Sequence, residues 1–390
     1  MSSYISSNAN RWYCALENSY GQVPAIGAAN RIPAVKLVAR QQLEKADRKD
    51  KTGSRTFPGN PPGERRQTTF DLTTYMSTWA DGTASPGYGP LFEAGLGAEP
   101  LEFHGGSASS GGTASSIIFA AAHGLSNNQA VTYNGEIRFV VSVLSPVAVI
   151  LNAPFSTAPA SGATFGSTVT YAPSLELPSV SIFDYWTPAT AVQRVLSGAA
   201  VDKLSIRVNA DFHEFQFTGM AQDLVDSASF TSGNGQLTSF PAEPASGSFD
   251  YSIIPGHLGQ AWLGSTPTQF LTITEASIEL NNNLDLRTRE FGSILPRSIS
   301  PGQRAVSMDF AFFEMDDAAT QQLYQAARQQ SPIGVMWQLG QVNGQLFGVF
   351  MKSVIPEVPD FDDKEHRLQW RFRNSRAQGT IDDEIALAFG

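Results

Sequence analysis

The second half of the chain alternates apolar and polar residues with a period of two. In "DKLSIRVNADFHEFQFTG", polar residues separate Leu204, Ile206 and Val208, "NADF" offers a turn, and Phe215 and Phe217 resume the alternation. This predicts a hairpin with one wet face. "QFLTITEASIEL" alternates too, but its apolar parity changes between Ile273 and Ile278, which predicts a bulge near Glu275 or Ala276. "RAVSMDFAFFEM" puts Val306, Met308, Phe310 and Phe312 on one face, and "RLQWRFRNS" does the same with Leu368, Trp370 and Phe372. Asn343-Gly344, between apolar runs, predicts a further hairpin turn.

One segment has a helical period. In "MDDAATQQLYQAARQQSP", Asp316 or Asp317 can cap, Ala319, Leu323, Ala326 and Ala327 form a narrow apolar stripe, and Pro332 forces a stop after Gln330. A shorter helix is expected after Pro90 in "PLFEAGLGA", with Gly97 as its C-terminal cap. Strands with isolated helices predict a mainly β (α+β) fold and exclude the alternation of a doubly wound sheet. The Gly/Ser run "HGGSASSGGTASS" reads as a flexible tether into a small unit with strands at "SIIFA", "AVTY", "EIRFVVSVL", "AVILN" and "TVTY". The expected division is residues 1–103, an inserted β-subdomain over 104–178, and a main β-domain over 179–390.

Composition adds enough apolar matter for a core, 42% of 390 residues, and 34 glycines for turns. A single Cys14, in the apolar setting "WYCAL", excludes an internal disulfide framework and suits a buried thiol. The N-terminus lacks the pattern of a signal peptide, and no apolar run is long enough to span a bilayer, so no membrane insertion is expected. Net charge is -10, against a nucleic-acid-binding surface. Charge is uneven, however. Lys36 to Arg66 hold nine basic and four acidic residues, a net +5 that leaves -15 on the rest, so a basic arm sits on an acidic body. Its "TFPGNPPGERR" excludes helix and central strand.

Chemistry is not evident. The five histidines have no metal-ligand spacing, and "FHEF" and "KEHR" read as strand positions facing solvent. "PDFDDKEH" lacks the glycine of a calcium loop, and neither a GxSxG nor a Walker motif occurs. Trp79, Trp186, Trp262, Trp337 and Trp370 read as core or interface fillers, with sugar stacking as the competing role. No cofactor, metal site or catalytic group is expected.

From about Asp184 onward the order of features resembles the major tail tube protein of long-tailed (siphovirus-type) bacteriophages. The pieces that carry the resemblance are "GAAVDKLSIRVNADFHEFQFTGMAQDLVDS", "TITEASIELNNNLDLRTREFGS", "ISPGQRAVSMDFAFFEMDD" and "VIPEVPDFDDKEHRLQWRFRNSRAQGT", with "GPLFEAGLGA" upstream. The segment from His104 to Pro178 exceeds a minimal tube protein. The resemblance implies an antiparallel β-sandwich or barrel-like domain with one flanking helix, assembled as a ring, usually hexameric, and stacked into a hollow tube that DNA traverses without specific binding. It also implies a virion location after assembly in the host cytoplasm. The implied partners are other copies of the chain, a tape measure protein, a tail terminator and baseplate proteins.

In that setting the polar loop "NNNLDLRTREFG" need not satisfy itself. Asn282, Asp285, Arg287 and Arg289 are expected to contact a neighbouring copy. The basic arm, with Arg48, Lys49, Arg55, Arg65 and Arg66, is expected to meet an acidic face bearing Asp360, Asp362 and Asp363 in the next ring. The lumen is expected to be net negative. The alternative is a virion adhesin or baseplate component whose inserted subdomain binds cell-surface carbohydrate; an acidic hydrolase has less to support it.

Overall fold

A computed structural model of the chain describes residues 4–44, 50–57, 59, 65–79, 85–209, 211–245, 252–287, 290–364 and 366–390. Among them strands dominate, and two α-helices occur. The chain begins with β1 (Asn10–Leu16), β2 (Ala34–Glu44), β3 (Arg65–Tyr75), α1 (Gly89–Leu96) and β4 (Leu101–Phe103). Four short strands follow, β5 (Ser116–Ile118), β6 (Ala130–Tyr133), β7 (Glu136–Ser145) and β8 (Ala148–Leu151). Next come β9 (Thr168–Tyr171), β10 (Val180–Trp186), β11 (Arg194–Val208), β12 (Glu214–Ala221), β13 (Gly259–Gly264), β14 (Ile273–Asn281) and β15 (Ala305–Phe313). Helix α2 (Ala318–Gln329) precedes β16 (Ile333–Leu339), β17 (Phe347–Ile355), β18 (Asp360–Asp362), β19 (Gln369–Ala377) and β20 (Ala386–Phe389).

Two antiparallel sheets pack face to face. The front sheet runs β2–β3–β12–β11–β14–β15–β19–β18. The back sheet runs β4–β9–β20–β17–β16–β13. They join where Val354 and Ile355 of β17 pair with Ala377 and Arg376 of β19. The inward set of the front sheet is the alternating one: Leu204, Ile206, Phe215, Phe217, Ile278, Leu280, Val306, Met308, Phe310 and Phe372 are all buried in one cluster with Trp337, Phe347 and Phe389 of the back sheet. The expected bulge is present as a register shift between Ile273 and Glu275. Asp317 caps α2, accepting from the Thr320 N–H, and Gln330 ends it in the left-handed region.

Helix α1 has a larger role than its eight residues suggest. Pro90 starts it, and Gly97, at φ 104°, ends it by donating its N–H to Glu93 O at 2.7 Å. It lies between the sheets, not on their flank. The Phe92 ring contacts Phe215 and Phe217 of the front sheet at 5.1 and 5.2 Å, and Phe389 and Phe347 of the back sheet at 5.3 and 5.6 Å. The expected single flanking helix is therefore α2, with α1 as an additional core element.

The segment after β4 differs from its expectation in two ways. The Gly/Ser run is not a free tether: Gly106 and Ser107 pair with Phe165 and Thr164, and the Ala108 N–H donates to Ala163 O at 2.8 Å. Small side chains leave the backbone free to form this ribbon. The strand "TVTY" is β9, paired on both sides within the back sheet. Strands β5–β8–β7–β6 form a separate four-stranded sheet, and it covers the outer face of the back sheet, where Ile137 and Phe139 pack on Met336, Phe350, Ala386 and Ala388.

Candidate assembly surfaces

The two sheets differ in what covers them. On the back sheet, Arg138 of the small sheet is fully buried, yet every polar hydrogen it turns inward has an acceptor. Its Nε donates to Pro154 O at 3.0 Å, Nη1 to Ile137 O at 2.7 Å and Gln338 Oε1 at 3.1 Å, and Nη2 to Glu136 Oε1 at 3.1 Å and Gln260 Oε1 at 2.8 Å. Burial pulls this guanidinium down to about 10, still charged at neutral pH. Burial acts to raise the Glu136 carboxyl. Hydrogen bonds from Ser156 and Gln260 and the Arg138 charge outweigh it and hold Glu136 below the usual carboxylate range. Sequence reading missed this network, although an arginine amid the apolar "EIRFVV" was its signal.

The outer face of the front sheet carries no such cover among the described residues. Its bases and acids face one another across strands: Lys203 Nζ lies 3.5 Å from Glu279, Arg207 3.8 Å from Glu214, and Arg371 3.6 Å from Glu275. Gln216 Nε2 donates to Asp71 at 2.9 Å on the same face. At one margin, β2 pairs only with β3 among the described residues, leaving eleven residues of edge with exposed Val35, Lys36, Arg40 and Leu43. At the other margin lies β18, with Asp360 and Asp362.

The basic arm is thus in part a strand pair. Glu44 of β2 faces Arg65 of β3, so β2 and β3 are the two sides of a long hairpin. Arg65 and Arg66 lie on its returning strand, and Arg66 reaches Asp223 at 3.4 Å. Arg55 is exposed in the connection, while Arg48 and Lys49 lie outside the described residues, as does Arg289.

The loop after β14 satisfies more of itself than expected. Asn282 is buried, and its Nδ2 donates to Gly95 O at 2.9 Å and Val201 O at 3.0 Å, so it anchors the end of α1 inside the chain. Leu284 and Leu286 are buried beside it, and the Leu284 N–H donates to Asp202 at 2.8 Å. The alternate residues of the loop face outward. Asp285, exposed, pairs by backbone with Ser300, and Arg287 lies 2.7 Å from Glu290. At β18, Asp360 lies 3.4 Å from Arg373, Asp362 3.5 Å from Arg371 and 3.7 Å from Lys364, and Asp363 is exposed.

Other predicted chemistry resolves into packing. Cys14 is buried, its Sγ 3.3 Å from Gly87 O, and burial raises its thiol far above the usual range. Trp79, Trp337 and Trp370 are buried. His213 corrects its expectation: it is 1% exposed instead of facing solvent, because it shares the parity of Phe215 and Phe217. An open groove of about 870 Å³ beside the β14–β15 loop is lined by Asn281, Asn283, Gln303, Arg304, Arg376 and Asp382. Among the described residues no group of His, Cys, Asp and Glu could hold a metal, and no helix is long and apolar enough to cross a membrane.

The chain belongs to the phage tail tube protein family, whose model matches residues 17–371. No curated protein matches it.

Proposed function

We propose that this tail tube protein, a structural component of the virion, closes into rings that stack as a hollow tube through which DNA leaves the particle. The observation that carries this is the uncovered front-sheet face, where Lys203, Arg207 and Arg371 are each opposed by a carboxylate. A wall of free bases would hold phosphate through counterion release, whereas paired charges present little net field and let DNA pass. On this reading the lumen is charge-balanced, which replaces the net-negative wall expected from composition. The outer edge of β2, which has no strand partner among the described residues, supplies the lateral contact. Unpaired strand backbone is a template for another chain, and a neighbour that pairs with it closes the wall.

Copies of itself are then the first partners, in a hexameric ring as the resemblance implies. A tape measure protein in the lumen and terminator and baseplate proteins at the ends complete the set. The role requires no catalysis. Negative-stain microscopy of the purified chain tests it: the expected product is tubes of uniform diameter with a stain-filled channel, and monomers that never assemble across protein concentration and salt would refute it.

A further inference from the structure

The two ends of the front-sheet strands present different surfaces. Strands β14, β15 and β19 have Asn281, Ala305 and Arg376 at one end and Ile273, Phe313 and Gln369 at the other. At the first end the β14–β15 loop holds Phe291, 101% exposed, in a segment that also carries the exposed Arg287 and Arg297. The loop is fixed to the basic hairpin, since the Arg66 N–H donates to Ile294 O at 3.0 Å. At the opposite end β18 exposes Phe361, 57% accessible, in the sequence Asp360-Phe361-Asp362-Asp363. Its ring lies 5.5 Å from Trp370 and 6.2 Å from Tyr324 of α2, forming an aromatic shelf. Trp370 is 5% exposed, and its indole N–H has no acceptor among the described residues. Glu314, whose N–H donates to Leu368 O at 2.9 Å, adds a further carboxylate at this end.

An exposed phenylalanine beside Arg287 and Arg297, which share Glu290, and an exposed phenylalanine beside Asp360, Asp362 and Asp363 are complementary, and they lie at opposite ends of one set of strands. We propose that the Phe291 loop of one copy seats on the Phe361–Trp370–Tyr324 shelf of a copy in the next ring, with Arg287 and Arg297 meeting Asp360 and Asp363. The indole N–H of Trp370 then meets a backbone carbonyl of the incoming loop. Such a contact joins unlike surfaces by translation along the strands, so it repeats without closing and yields an open polymer. Intrachain pairs such as Arg287–Glu290 and Asp360–Arg373 are at the surface, where exchanging one partner for another costs little. This inference deepens the tube reading and rests on it.

The test uses the full chain with Phe291→Cys and Phe361→Cys combined, under mild oxidation after assembly; the native Cys14 is buried and does not compete. The expected result is a ladder of disulfide-linked multimers on a non-reducing gel, absent from either single variant. Tubes that form normally but give no ladder would overturn this contact while leaving the tube reading intact, and a wild-type chain that makes no tubes would instead sink that reading. As a second arm, Arg287→Glu with Arg297→Glu should shorten tubes at least tenfold, and adding Asp360→Arg with Asp363→Arg should restore them. Normal tubes from the first pair alone, or no recovery with all four, would count against the proposal.

Discussion

Nη2 of Arg138 donates to Oε1 of Gln260 at 2.8 Å, so a guanidinium sealed from solvent joins the small sheet to the outer face of the back sheet. Removing one partner of a buried charged pair leaves the other charge uncompensated. Arg138→Met should therefore destabilise the monomer by about 3–5 kcal/mol in urea unfolding, because Glu136 stays buried without its cation. Gln260→Ala should cost less, about 1–3 kcal/mol, for the unsatisfied donors it leaves.

His213 gives an acid-sensitive joint. Its Nε2 lies 2.9 Å from Leu258 O, which can only accept, so Nε2 carries the proton and the buried Nδ1 has no partner among the described residues. Burial lowers its affinity for a second proton, partly offset by the Leu258 bond, and neighbouring His257 lowers it further. Because the folded value is depressed, the unfolded chain takes up the proton first. Stability is intact above about pH 6.5 and falls as the pH drops below it. In His213→Gln, whose amide can still donate to Leu258, the slope between about pH 6.5 and 5 should flatten. An unchanged slope in that window would place the sensitivity elsewhere.

Asn282 and Arg287 sit five residues apart and should behave differently. Asn282→Ala strands two buried carbonyls, Gly95 O and Val201 O, and should cost the monomer about 1–3 kcal/mol. Arg287→Ala, at the surface, should stay within about 0.5 kcal/mol of wild type and show its effect in assembly alone. Chemical denaturation at low protein concentration, compared with tube length by microscopy, separates the two.

Residues 45–64 can be replaced by a short turn, because Glu44 and Arg65 already face each other in register. The shortened chain should fold with unchanged thermal stability and fail to make tubes. Tubes of normal length from it would show that residues 45–64 have no part in stacking.

Much of the sandwich was legible because a half-buried strand writes its faces in alternate letters. Leu204, Ile206, Phe215 and Phe217 fixed one hairpin, and the parity change before Ile278 marked the bulge. Alternation states which face is buried but not which strand lies alongside, so "TVTY" reads as part of the small unit although its ladder partners are β4 and β20. Helix α1, buried nearly all round, has no polar stripe to announce its position between the sheets. His213 is legible in principle, two residues before Phe215, where strand parity outweighs the usual surface preference of histidine. The assembly surfaces were the least legible, since Asn282 and Arg287 look alike in composition and only the packing of Leu284 and Leu286 separates an anchor from a contact.

The small sheet bonded through Arg138 also has a mechanical consequence. Packed sheets stand about 10 Å apart, so this layer thickens the subunit on one side by roughly that much. Because hydrogen bonds and the Phe139–Phe350 stack cross the seam, the layer cannot slide over the sandwich beneath it. A laminate glued along its seam bends as one thick plate, whereas loose sheets bend one by one, and a wall of such subunits would gain flexural stiffness while its bore stayed the same width.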